Sequence, residues 1–280
     1  MTPSDVADEA RIQVPPLSFG TWQLDDDAAA RCVAGALRDG YRMVDTGMRY
    51  HNEYGVGRGV RESGVPREEI TVVTKLRAGD QGARQTTRAF RASLRNLGLD
   101  RVDLYLIHWP VPRLDKYIES YREMIGLRRD GLIGELGVSN FPLAHLDRLA
   151  DAVGEYPAIN QFEMHPGWPQ AELVAGCRER GVIPQGWGPL GRGQLKEGRG
   201  LLDDPVLARV AEAHRTTPAT VCLAWMAGHD VSCVAKSSHP DRWRANLAAV
   251  RMSLSDEEIA RIDAMPQFRC GKDPLVDEEY

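Results

Sequence analysis

Four side chains in this sequence stand where apolar runs end, and together they have the makings of an acid–base device. Asp45 closes the run Tyr41-Arg42-Met43-Val44, and Tyr50 follows it by five residues. Lys75 ends Ile70-Thr71-Val72-Val73-Thr74, and His108 ends Val102-Asp103-Leu104-Tyr105-Leu106-Ile107. A phenol with a pKa of about 10 is a reluctant proton donor at neutral pH. A cation about 4 Å away favours the phenolate by roughly 4 kcal/mol at an effective dielectric near 20. At about 1.4 kcal/mol per unit, Lys75 could lower Tyr50 by up to roughly three pKa units, into the range of a useful general acid. Burial would tend to strip the lysine of its proton, and Asp45 is the counter-charge that opposes this. A neutral His108 at a strand outlet can donate to a carbonyl oxygen and orient it. Each residue taken singly has an ordinary reading: a loop tyrosine, a structural Lys–Asp pair, a core histidine. The case for chemistry rests on their convergence.

That convergence depends on the elements that carry them. Short apolar runs alternate with longer amphipathic segments, the pattern of a parallel sheet with crossover helices. Strands are expected near 17–20, 42–46, 70–75, 102–108, 134–138, 158–162, 182–187 and 232–236. Helices are expected near 25–39, 52–63, 81–97, 115–129, 142–152, 169–180, 203–214 and 239–248. An extra helix near 218–227 precedes the last strand. Glycines at 40, 64, 98, 131 and 181 punctuate helix ends, where a left-handed cap is expected. The predicted fold is an α/β (β/α)8 TIM barrel with a C-terminal loop, one domain over residues 1–280. In such a barrel all strand C-termini open on one face, where catalytic groups gather. Residues 188–202 form the longest loop on that face, and the acidic tail 266–280 is expected to lie over the surface.

Composition narrows the function. With 280 residues, the chain suits one barrel. A net charge of −5 argues against a nucleic-acid surface, and means a polyanionic ligand must find a local basic cluster. Five scattered cysteines without a Cys-x-x-Cys pair indicate neither a disulfide framework nor a zinc site. A reducing cytoplasm is the expected compartment. The polar N-terminus lacks the form of a signal peptide, and no apolar run approaches the roughly 20 residues that span a bilayer. No metal is expected: Glu163 and His165 lack a further ligand pair at suitable spacing. No Gly-x-Gly-x-x-Gly follows the first strand, so a Rossmann domain is not indicated.

Gly40-Tyr41-Arg42-x-x-Asp45-Thr46-x-x-x-Tyr50-x-Asn52-Glu53, the lysine ending the next strand and His108-Trp109-Pro110 after the following one resemble the signature of the aldo-keto reductases. The likeness runs from Phe19-Gly20-Thr21-Trp22 to Asn246, and its pattern is similar to the bacterial 2,5-diketo-D-gluconate reductase-like branch. It implies a monomeric enzyme that reduces small aldehydes or ketones with NADPH, with Tyr50, Lys75, Asp45 and His108 catalytic. Ser139, Asn140 and Gln161 would hydrogen-bond the nicotinamide carboxamide, although Ser139 or Asn140 could equally cap a helix. Trp187 would stack on the nicotinamide ring, the flanking Gly188, Gly191 and Gly193 would let the backbone approach the pyrophosphate closely, and Leu190 would also contact the cofactor. Lys236, Ser237, Ser238, Arg242 and Asn246 would hold the adenosine phosphate at a helix N-terminus, a sound place for an anion. Trp22, Tyr50, His108 and Trp109 would wall the substrate pocket. The chain departs from the pattern at His239, where arginine is common, and at Ala245, where glutamate is common. Met43 and Gly47 replace a common histidine and alanine. The rival reading is a nicotinamide-binding regulatory subunit with little turnover. Neither the physiological carbonyl nor the direction of reaction is legible.

Overall fold

The computed structural model describes residues 12–193, 195–196 and 199–276. Eight parallel strands close into a barrel: β1 (Leu17–Gly20), β2 (Met43–Asp45), β3 (Thr71–Leu76), β4 (Val102–Ile107), β5 (Ile133–Ser139), β6 (Ile159–Glu163), β7 (Ile183–Trp187) and β10 (Ser232–Ala235). They run around the barrel in chain order, and β10 pairs with β1 to seal it. The intervening β8 (Leu195–Lys196) and β9 (Arg199–Gly200) form a separate antiparallel pair. This hairpin lies inside the loop expected at 188–202.

Period-two alternation sorts the strand residues into two cores. Val44, Val72, Tyr105 and Ile107 face the helices and join the large outer core. Met43, Val73, Leu104, Leu106 and Ile159 belong to a second apolar cluster, against which Ile12 and Val14 pack. Two residues further along these strands the side chains become polar: Asp45 after Met43, Lys75 after Val73, His108 after Leu106, Gln161 after Ile159. The apolar cluster thus forms a lower layer, and the polar set sits above it at the strand C-termini.

The outer ring comprises α1 (Asp26–Arg38), α2 (Glu53–Glu62), α3 (Ala83–Leu97), α4 (Tyr117–Arg129), α5 (Leu143–Val153), α6 (Ala171–Glu179), α7 (Pro205–Ala213), α8 (Pro218–Gly228) and α9 (Pro240–Ala249). Helix α8 is the extra helix before the last strand. The five punctuating glycines all have positive φ, between 62° and 111°. In α2 the Gly55-x-Gly57-x-Gly59 series has a different purpose. A Cβ on Gly55 would stand 2.0 Å from the Asp26 carbonyl, and one on Gly57 1.7 Å from that of Leu97. Backbone contact with both neighbours therefore excludes any side chain. This close packing seats α2, which follows the turn that carries Tyr50, directly against α1 and α3.

A tenth helix, α10 (Asp256–Asp263), was not expected from periodicity. Its start is marked by a capping box, Ser255 with Glu258, a signal the sequence does display. The tail after it, from residue 266, lies over the surface as expected, with Cys270 its one buried residue among those described, and its course is fixed by backbone contacts. Phe268 N–H donates to the Gly167 carbonyl at 2.7 Å, and Cys270 and Gly271 are drawn onto the barrel mouth. Residues 277–280 of that expected tail lie outside the described residues.

Candidate active site

The strand C-termini open into a cavity of about 420 Å³. Asp45, Tyr50, His108, Ser139, Asn140, Gln161 and Trp187 line it, with Trp22 and Trp109 among its walls. Lys75 lies at its floor, fully buried. Its ammonium has three hydrogens and three acceptors: Asp45 Oδ1 at 2.5 Å, the Thr46 carbonyl at 2.8 Å and the Tyr50 hydroxyl oxygen at 3.3 Å. Burial works against the charge on Lys75, yet Asp45 and Tyr50 together outweigh it and raise the lysine above its ordinary pKa. A protonated Lys75 donates to the phenol oxygen, which retains its own hydrogen for another acceptor. The arrangement can deliver a proton and stabilise the phenolate left behind.

His108 is the partner across the pocket. Its ring stands edge-on to Tyr50, centroids 5.8 Å apart. Burial, reinforced by the charges of Lys75 and Arg49, holds it well below the usual imidazole pKa. It is therefore neutral at physiological pH, a hydrogen-bond donor rather than an acid. The consequence for stability has a definite sign. In the unfolded chain His108 protonates as pH falls through about 6.5, while the folded state stays neutral to a lower pH. The unfolded state binds more protons in that window, so stability falls as pH falls. His108→Asn is expected to remove one proton, about 1.4 kcal/mol per pH unit, from the slope below pH about 6.5. Urea melts across pH 4.5 to 7 measure it, and an unchanged slope would contradict a neutral His108.

The β5 and β6 ends are tied together. Ser139 Oγ donates to the Gln161 carbonyl at 2.7 Å. Asn140, at a left-handed φ of 65°, donates to the His108 carbonyl at 2.9 Å and to Ser139 Oγ at 3.1 Å. Its own carbonyl oxygen accepts from Trp187 Nε1 at 2.9 Å. Asn140 thus fixes the plane of the indole. Ser139 and Asn140 do not cap α5, whose start shows no side-chain cap.

Around the mouth the remaining groups divide. Gly188, Leu190 and Lys236 line the cavity. Gly191 adjoins them at φ 64°, packed against Leu201. Ser237, Ser238, Arg242 and Asn246 lie beyond the cavity lining, leading from Lys236 into α9. There Ser237 Oγ accepts from the His239 N–H at 3.1 Å. They form a separate basic helix entrance, exposed at Ser238 and Arg242.

Three features escaped the sequence. The Arg192 guanidinium lies over Trp22 at 4.2 Å and over Trp187 at 5.6 Å, bridging the two indoles. Gln185, two residues before Trp187 and so on the same strand face, is buried behind Gln161; that spacing could have found it. Glu163 clamps the C-terminal segment, its Oε1 accepting from Cys270 N–H at 2.6 Å and its Oε2 from Gly271 N–H at 2.9 Å. The clamp sets Gly271 against the Trp187 edge, where a Cβ would stand 2.4 Å from the ring, and brings Lys272 to the cavity. Glu163, His165 and Cys270 have ligand-type atoms within 4.8 Å of one another, a proximity that sequence spacing concealed. Both Glu163 oxygens already serve the backbone. Burial first, then Glu163, pushes the Cys270 thiol up to about 11, so it stays protonated at neutral pH.

Comparison with known proteins agrees with this fold. An aldo-keto reductase of Mycolicibacterium smegmatis is 41% identical over 262 residues, covering 93% of each chain. The methylglyoxal reductase DkgA of Salmonella typhimurium is 36% identical over 262 residues, again 93% of each. Among solved structures, a Bombyx mori aldo-keto reductase in complex with NADP superposes with a TM-score of 0.86 at 31% identity, covering 93% of this chain and 94% of that one. The sequence model described as the aldo/keto reductase family matches residues 16–266, a span that includes all eight barrel strands. By sequence and by architecture alike, this chain belongs to the aldo/keto reductase family.

Proposed function

We propose that the protein reduces aldehyde or ketone groups of small molecules to alcohols with NADPH, with Tyr50 as the general acid. The observation that carries this reading is the single ammonium of Lys75, held by Asp45 and Thr46 and donating to the Tyr50 oxygen at the floor of the cavity. The residues present suit a nicotinamide dinucleotide. Trp187 offers an aromatic face fixed by Asn140, and Ser139, Asn140 and Gln161 offer amide-matching groups. Lys236, just after β10, and Arg242, in the first turn of α9, supply positive charge to a chain that is acidic overall. Bound NADPH would supply the hydride.

The protein's own part is to orient and protonate. Neutral His108 donates to the carbonyl oxygen and aims it at Tyr50. Tyr50 gives its proton to that oxygen as negative charge develops there. Lys75 stabilises the resulting phenolate, and Asp45 keeps Lys75 charged in a site without water-like dielectric. Trp22 and Trp109 would provide apolar walls. The test is NADPH oxidation with a panel of small aldehydes and diketones. Turnover that requires Tyr50 supports the reading. Tight NADPH binding with no turnover across the panel would favour the regulatory alternative.

The basic entrance of α9 makes a second expectation. Arg242→Ala is expected to weaken NADPH by about tenfold to a hundredfold, the worth of a charged hydrogen bond of about 1.5–3 kcal/mol, while leaving NADH nearly unchanged. Titration calorimetry with both cofactors measures the difference. Equal losses would remove the 2′-phosphate from Arg242.

A further inference from the structure

Behind the Asp45–Lys75 pair runs a string of side chains, half-buried at Ser232 and buried from there inward, that proton delivery does not use directly. It begins at the Pro15 carbonyl, which accepts from Ser232 Oγ at 2.7 Å. A carbonyl cannot donate, so the serine's hydrogen is committed there and its oxygen faces Gln185 as an acceptor. Gln185 Nε2 donates to that oxygen at 3.1 Å and to Ser18 Oγ at 3.2 Å. This turns Gln185 Oε1 toward Gln161, whose Nε2 donates to it at 2.8 Å. The other hydrogen of the same nitrogen goes to Asp45 Oδ2 at 2.8 Å. Each amide is therefore oriented by the link below it, from a carbonyl at one end to a carboxylate at the other, neither of which can donate. Reversing either amide would set acceptor against acceptor. Ser18 and Gln185 are 0% exposed and Gln161 2%, so bulk water is not at hand to substitute.

We propose that Gln185 is a positioning residue: it locks Gln161, and through it sets how much of the Asp45 charge opposes Lys75 at Tyr50. The proposal rests on the reading of Tyr50 as the acid. A donor on Oδ2 draws negative charge away from Oδ1, the oxygen that faces Lys75. The ammonium's field at the phenol is then less fully cancelled, and Tyr50 is the stronger acid. Without Gln185, Gln161 loses the partner that dictates its orientation, and Asp45 loses a steady donor. The same lock leaves Oε1 as the group Gln161 can offer to a ligand.

Other titratable and charged groups surround Tyr50: Lys75 from β3, Asp45 from β2 and neutral His108 beyond β4, with Arg49 on its own turn acting on His108, and Arg192, Lys236 and Lys272 lining the cavity. The test leaves all of these in place. Tyr50 is titrated by the near-ultraviolet phenolate absorbance, taken as the difference between a protein and its Tyr50→Phe counterpart. Gln185→Met keeps the volume and removes both ends of the amide. The Tyr50 midpoint is expected to rise by about half a pH unit, and the high-pH limb of kcat for reduction to move with it while KM holds. Gln185→Glu should restore the midpoint, because burial favours its neutral carboxyl, which can accept from Gln161 and donate to serine. An unchanged midpoint in Gln185→Met, whatever its thermal stability, would overturn the proposal. If that variant does not fold, Ser18→Ala with Ser232→Ala is read in the same way: a raised midpoint supports the proposal and an unmoved one overturns it. A parent that binds NADPH but reduces no carbonyl would defeat the functional reading instead, and the absorbance titration would still decide the role of Gln185.

Discussion

Tyr50→Phe is expected to cut carbonyl reduction by about 10²–10⁴-fold, the usual contribution of a positioned acid, with NADPH binding nearly unchanged. The substitution keeps the ring, and with it the edge-on contact to His108. It deletes the hydroxyl that accepts from Lys75. His108 cannot readily take over, because its depressed pKa leaves it without a proton to give up as an acid near neutrality. The measurement is single-turnover reduction with NADPH prebound, which separates the chemical step from cofactor release. Reduction at the parent rate in that assay would show that Tyr50 is not the acid.

Lys75→Met should match that loss of rate and add a loss of stability. The phenol would keep its ordinary pKa near 10 and hold its proton too tightly. Asp45, 2% exposed, would keep the Gln161 donor but lose its cation. Breaking a buried pair in this way costs about 3–5 kcal/mol. Asp45→Asn should retain more activity than either variant, since Asp45 acts on the phenol only through Lys75.

The stability term also has a pH signature. Lys75 is raised in the fold, so it binds its proton more tightly there than in the unfolded chain. Its contribution is fully present below about pH 10.4 and is lost as pH rises through the higher folded value. The methionine variant should therefore lack the parent's loss of stability in that alkaline window. Denaturant melts from neutral to alkaline pH test this. A variant as stable as the parent at pH 7 would mean that Asp45 is neutral or finds another partner.

Much of this site was legible from strand ends alone. Alternation along a strand dictates that Asp45, Lys75 and His108 share a face with Met43, Val73 and Leu106, and a parallel barrel places every strand C-terminus at one mouth. That logic needs no distances, so the eight strands, the extra helix and the Asp–Tyr–Lys–His convergence could be anticipated. Other features depended on closure. Gln161 on β6 meets Asp45 on β2 across the barrel interior, 116 residues apart in the chain, and Gln185 on β7 meets Ser18 on β1 across 167, because closure sets only β10 between β7 and β1 and turns all four side chains into one interior. No local pattern encodes such pairings. The Glu163 clamp is likewise invisible in sequence, since its partners are backbone N–H groups, which every non-proline residue has. Residue types and their period determined which groups face the cavity. The tertiary structure decided which of them hold one another, because a buried donor must find an acceptor wherever the chain has brought one within reach.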